Sequence, residues 1–105
     1  MEGSGVRLNL KYPAERLPIS WDFRSELGGM AAKSLHVEAE IDSSSRVQDP
    51  DPKAILDSEP WMEDGAMFQL MRGGVVGADY RVRATVERAD GCIFQKLSIL
   101  PVREA

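Results

Sequence analysis

Apolar and polar residues alternate one by one along most of this chain. Val6, Leu8 and Leu10 are separated by Arg7 and Asn9. Leu17, Ile19, Trp21 and Phe23 alternate with Pro18, Ser20, Asp22 and Arg24. Leu35, Val37, Ala39 and Ile41 alternate with His36, Glu38 and Glu40, and Tyr80, Val82, Ala84 and Val86 with Arg81, Arg83, Thr85 and Glu87. A period of two puts one kind of side chain on each face of a pleated strand, so each set predicts a strand with one dry and one wet face. Strands of that kind belong to antiparallel sheets.

Turn chemistry divides the rest. Asp90-Gly91 follows the strand from Tyr80 and predicts a type I′ hairpin, with a returning strand from about Cys92 to Leu100 that carries Ile93, Gln95, Leu97 and Ile99 on one face. Pro101 has no N–H to give and should end its pairing. Two weaker strands are expected over Lys53 to Asp57 and Ala66 to Arg72, before a glycine turn at Gly73-Gly74 and Gly77. Leu27, Met30 and Ala31 have helix-like spacing, but Gly28-Gly29 reduces that segment to a loop or a single turn. Residues 43 to 52, rich in serine, aspartate and proline, form the longest loop. The expected fold is all-β: a single antiparallel β-sandwich of about seven strands over residues 13–105, preceded by a flexible N-terminal arm over residues 1–12 that holds a strand able to pair with a partner.

A length of 105 residues suits one domain. The net charge of −4 argues against a duplex nucleic-acid binder, which needs a basic face, and against docking on an anionic membrane. No stretch approaches the ~18 apolar residues of a membrane-spanning helix, and Met1 to Gly5 lacks the basic and apolar regions of a signal peptide. With one cysteine, Cys92, neither an internal disulfide nor a cysteine-based zinc site can form.

Three groups of side chains could carry chemistry. His36, the single histidine, shares the wet face with Glu38 and Glu40; a catalytic role would need a serine or cysteine nucleophile within reach, Cys92 could come close only by accident of folding, and no nucleophile-elbow motif accompanies any serine. Asp49, Asp51 and Asp57 miss the calcium-loop pattern, because Ala54 stands where a glycine is needed. Glu59, Glu63 and Asp64 surround Trp61 and Met62 on what reads as an acidic loop, and Trp61 either packs over the sandwich end or joins Met62 as an interface anchor. No catalytic, cofactor-binding or metal site is expected, and the chain reads as a non-enzyme. Arg7, Lys11 and Arg16, and Arg81, Arg83 and Arg88, supply local positive charge that can meet acidic surfaces.

The run Leu70, Gly73-Gly74, Gly77, Tyr80-Arg81-Val82, Val86, Asp90-Gly91, Ile99 and Val102 resembles a group of small tailed-phage virion proteins with an immunoglobulin-like sandwich. Ile19-Ser20-Trp21-Asp22-Phe23 and Leu27-Gly28-Gly29 match the front half of that group. The N-terminal segment and the Trp61 region depart from it. The resemblance implies a structural protein made in the host cytoplasm and carried in the virion: a minor capsid or head-decoration protein that binds the major capsid protein or other virion proteins. Alternatives are a head–tail joining or tail-associated protein, and a carbohydrate- or receptor-binding module. The expected partner surface comprises Val6, Arg7, Leu8, Leu10, Tyr12, Trp61 and Met62. Self-association is expected, and a trimer would suit threefold positions in a particle.

Overall fold

A computed structural model describes residues 6–104. The chain is all-β, with two sheets packed over one core. Its elements are β1 (Val6–Arg7), β2 (Arg16–Asp22), α1 (Arg24–Leu27), β3 (Ala32–Ile41), a 3-10 turn (Pro52–Ile55), β4 (Leu56–Glu63), β5 (Ala66–Arg72), β6 (Asp79–Arg88) and β7 (Ile93–Pro101). One antiparallel sheet runs β2-β5-β4; the other runs β7-β6-β3, with β1 added in parallel outside β7.

The sheets therefore rest on six long strands rather than the seven expected. The front pattern yields only the two-residue β1, paired Val6 to Ser98 and Arg7 to Ile99. Its alternation breaks because Lys11 turns inward and is fully buried while Leu10 turns out. The flexible arm was expected over residues 1–12. Residues 1–5 lie outside the described residues, and residues 6–11 are tied to the domain's own last strand: Leu8 N donates to Ile99 O at 2.8 Å and Lys11 N to Pro101 O at 2.8 Å.

The period-two reading holds where it is strongest. Tyr80, Val82, Ala84 and Val86 are completely buried, and they face Ile19, Trp21, Met67 and Met71 from the other sheet. Trp21 Nε1 donates to Ser98 Oγ across the core at 2.9 Å, so the indole's one polar atom is satisfied where water cannot reach it. In β5 the inward residues are Met67, Gln69 and Met71, which leaves Phe68 and Leu70 on the outer face. β7 turns Ser98 and Leu100 inward and leaves Ile93 63% exposed.

Two hairpins differ from expectation, and loop length explains both. At Asp64-Gly65 both residues have positive φ, 50° and 81°, and Glu63 pairs directly with Ala66. This is the two-residue loop that needs two left-handed residues. The Trp61 segment, read as a loop, is thus the strand β4. A bulge between Asp57 and Trp61 hides its alternation, with Ser58 at φ 65° and the buried Gln69 amide donating to Asp57 O and Ser58 O at 3.3 and 3.0 Å. At Asp90-Gly91 only the glycine has positive φ, 93°. Gly91 N donates to Arg88 O at 2.8 Å and Arg88 N to Cys92 O at 2.7 Å, the pattern of a longer loop closed by a glycine bulge instead of a type I′ turn. The strand expected over Lys53 to Asp57 is likewise displaced. Pro52 sits in the first turn of the 3-10 segment, and extended pairing starts only at Leu56.

Candidate docking surface

Chain direction gathers three connections at each end of the sandwich. One end carries α1 and the loop to β3, the Asp64-Gly65 hairpin and the Asp90-Gly91 hairpin. The other carries residues 8–15, the 42–55 connection, the 73–78 turn and the C-terminal residues after Pro101.

At this second end Lys11, Tyr80 and Asp79 turn their polar groups to bonds between segments. Lys11 Nζ donates to the carbonyl oxygens of Tyr12 at 2.9 Å, Pro13 at 3.4 Å and Gly73 at 2.7 Å. Burial of the ammonium lowers its pKa from the usual lysine value, while Glu15 opposes that shift. The bonds join the segment before β2 to the turn after β5. Arg103 N donates to Lys11 O at 3.0 Å and Gly77 N to Val102 O at 2.8 Å, so both segments also border the chain after β7. Gly74 has φ 106°, and a Cβ there would lie 2.8 Å from Val102 Cγ2, so only glycine lets the turn pack this closely. Tyr80 Oη accepts from Val75 N at 2.8 Å and donates to Asp49 Oδ2 at 2.7 Å. Desolvation, with the Asp49 carboxylate beside it, pushes the phenol up to about 12. Asp79 Oδ1 accepts from Arg103 Nη2 at 2.7 Å and Arg7 Nη2 at 3.4 Å.

The result is an end where Lys11, Tyr80 and Asp79 are engaged internally while several large apolar side chains are left outside. Of the six large hydrophobic residues exposed among the described residues, four are here: Leu10 at 47%, Tyr12 at 41%, Val75 at 37% and Val76 at 44%. Leu10 and Tyr12 point out because Lys11 between them points in. Val75 and Val76 sit on the glycine turn that Lys11 holds. The sequence pattern marks Leu10 and Tyr12 but not Val75 and Val76, which fall inside the glycine turn.

The other expected partner residues are scattered. Val6 pairs with Ser98 in β1, and Arg7 reaches Asp79. Leu8 is half-buried against the core. Met62 packs inward opposite Met67. Trp61 lies on the outer face of the three-stranded sheet, its ring stacked on Phe68 with centroids 5.5 Å apart and planes 14° apart, and its Nε1 donates to Glu63 Oε2 at 2.8 Å. The structure therefore joins Leu10 and Tyr12 in one surface and places Trp61 and Met62 elsewhere.

The side chains that could carry chemistry are engaged separately. His36 Nε2 lies 3.4 Å from Glu38 Oε2 on the wet face of β3. Cys92 Sγ sits in the last hairpin with Arg88 and Asp90. Asp49 holds Tyr80 and also accepts from Asp51 N at 2.9 Å. Arg83 and Arg81 meet Glu38 and Glu40 across the strand pair at 3.5 and 3.9 Å, which neutralises that positive stripe.

No family model matches this chain. No curated protein matches it in sequence either.

Proposed function

We propose that this chain is a non-catalytic, immunoglobulin-like structural module of a tailed-phage virion, a minor capsid or head-decoration protein that docks on the major capsid protein lattice through the end bearing Leu10, Tyr12, Val75 and Val76. The resemblance in sequence supplies the virion. The clustering at one end of four of the six large hydrophobic residues exposed among the described residues supports the docking surface. Apolar and aromatic groups held on a fixed frame lose little freedom on binding, which is what an interface centre requires. A lattice presents the same site many times, so a small contact area still gives firm attachment once copies also touch each other.

The strand orders support the immunoglobulin-like assignment. β2-β5-β4 and β3-β6-β7 correspond to the B-E-D and C-F-G sets of that fold. Tyr80 near the start of β6, bonded back to Val75 N, has the form of its tyrosine corner.

The test is cosedimentation of the purified protein with particles of its own phage, followed by imaging. The wild type pellets with particles, and a Tyr12→Ala, Val76→Ser double variant binds at least about tenfold more weakly while keeping its circular dichroism spectrum. Undiminished binding by the variant overturns the docking surface, and no binding by the wild type overturns the virion role. Density at the neck or tail instead of the head would move the protein to the head–tail joining or tail-associated class.

One observation favours a second reading. Trp61 and Phe68 stack on the outer sheet face, with Leu70 and Pro18 paired on the same face, and flat aromatic surfaces suit sugar rings. A glycan-array signal abolished by Trp61→Ala would support a carbohydrate-binding module.

A further inference from the structure

Both Asp-Gly pairs, Asp64-Gly65 and Asp90-Gly91, stand at hairpin tips. An Asp-Gly bond can rearrange without an enzyme. The glycine nitrogen attacks the carboxyl carbon of the aspartate side chain, a five-membered succinimide closes, and one water leaves. Water then opens the ring at either carbonyl. Opening at the side-chain carbonyl restores aspartate. Opening at the main-chain carbonyl breaks its bond to the glycine nitrogen, which stays on the side-chain carbon, and the residue becomes isoaspartate. One water is lost and one regained, so the product keeps the starting composition. Glycine favours the attack because it has no Cβ to hinder the approach of its nitrogen. The step needs a carboxyl group free to turn and a glycine N–H that is not held elsewhere.

The two pairs differ in both respects. Arg88 clamps Asp90 with two bonds, Nε to Oδ1 at 2.9 Å and Nη2 to Oδ2 at 2.8 Å, and Cys92 N adds a third to Oδ1 at 3.2 Å. Gly91 N is committed to Arg88 O at 2.8 Å. The Arg88 bonds, with that from Cys92 N, also hold the Asp90 carboxyl well below the usual range, so the neutral acid that can lose its hydroxyl is scarce. At the other tip the ladder closes between Glu63 and Ala66 and leaves both loop residues outside it. Among the described residues Gly65 N has no acceptor, and the exposed Asp64 carboxylate has no donor. The Arg24 stem lies against Gly65, yet its guanidinium is spent on Asp22, Nε to Oδ1 at 3.0 Å and Nη2 to Oδ2 at 2.7 Å.

We propose that Asp64 is a site of spontaneous isoaspartate formation in the folded protein, and that Arg88 protects Asp90 from the same reaction. The product routes the backbone through the side-chain carbons of residue 64, one carbon longer, and leaves a free main-chain carboxylate. A loop of two residues, both at positive φ, is closed by the Glu63–Ala66 pair and cannot take up that carbon unchanged, so the β4–β5 tip loosens. Phe23 N, bonded to Gly65 O at 2.9 Å, carries the change to the start of α1. None of this depends on a partner, so it stands apart from the docking end.

Peptide mapping of aged protein tests the proposal. The full chain is held folded at neutral pH and physiological temperature for weeks and then digested. The peptide containing Asp64 splits into two species of equal mass, and the new one accepts a labelled methyl group from S-adenosylmethionine in the presence of an isoaspartyl methyltransferase. It accumulates at least about tenfold faster than isoaspartate at Asp90, a factor set by the charge-assisted bonds that Asp90 must break first. In urea, where neither clamp nor hairpin survives, the two pairs react at similar rates. Asp64→Glu removes the first signal. Arg88→Gln, with its circular dichroism unchanged, raises Asp90 toward the rate of Asp64. Equal rates at the two pairs in the folded wild type overturn the proposal. So does reaction of Asp64 in urea with none in the folded chain. An Asp90 rate indifferent to Arg88→Gln overturns the protection assigned to Arg88.

Discussion

The two ends of this sandwich spend their polar groups in opposite ways. At the end built on Lys11, charges and hydroxyls point inward and tie loops together, while Leu10, Tyr12, Val75 and Val76 face water. At the hairpin end the charges stay outside and pair with near neighbours. Arg24 Nη2 meets Asp22 Oδ2 at 2.7 Å and Arg88 Nη2 meets Asp90 Oδ2 at 2.8 Å. Each aspartate is held well below the usual carboxylate range, chiefly by the side-chain hydrogen bond from its arginine. Yet such contacts are screened by solvent and contribute little to stability. The contrast teaches that the number of ion pairs at an end says little about how firmly that end is held. Burial of the bonded groups decides it.

Variants should separate the ends in a fixed order. Lys11→Met keeps the aliphatic stem but orphans three carbonyls, and should cost about 2–4 kcal/mol in urea unfolding while detaching the turn that bears Val75 and Val76. Tyr80→Phe leaves Asp49 and Val75 N without their partner and should cost about 1–3 kcal/mol. It also has a pH signature. The folded phenol ionises near pH 12, above the ordinary tyrosine value of 10.0, so it favours folding fully below pH 10. That contribution is lost between pH 10 and 12, as the unfolded chain ionises first. Of the two tyrosines, Tyr80 should give its phenolate absorbance only near pH 12, a step absent from Tyr80→Phe. Gly74→Ala forces a Cβ against Val102 at a positive φ and should cost about 1–2 kcal/mol. Asp22→Asn, at the hairpin end, should leave the melting temperature unchanged within error. A large loss there, or none on Lys11→Met, would break the contrast.

Much of the framework was legible because the longest strands alternate cleanly. The Tyr80–Val86 and Leu17–Phe23 runs went into the core as their period demands. What escaped were features that depend on distant partners. Lys11 is buried because the Gly73 carbonyl, distant in sequence, joins those of its neighbours Tyr12 and Pro13 around its ammonium, and no local pattern announces that. The Trp61 strand was obscured by a bulge whose stabilising amide, Gln69, lies eleven residues from the Ser58 carbonyl it satisfies. The two Asp-Gly pairs carry identical residues and fold differently, since loop length rather than dipeptide identity selects the turn. For the docking end, Leu10 and Tyr12 were visible as apolar residues near the front. Val75 and Val76 joined them only through the contacts that Lys11 and Val102 make.

The chain's two tryptophans report on different layers. Trp21 is 5% exposed and bonded to Ser98 in the interior, whereas Trp61 stacks on Phe68 on the outer sheet face. Excited separately in single-tryptophan variants, the first indole emits at short wavelength and shifts red only when the two sheets part. The second responds to quenchers and to anything laid across the β4–β5 face. Native fluorescence can therefore distinguish loss of structure from occupancy of that face in one titration, without an added label.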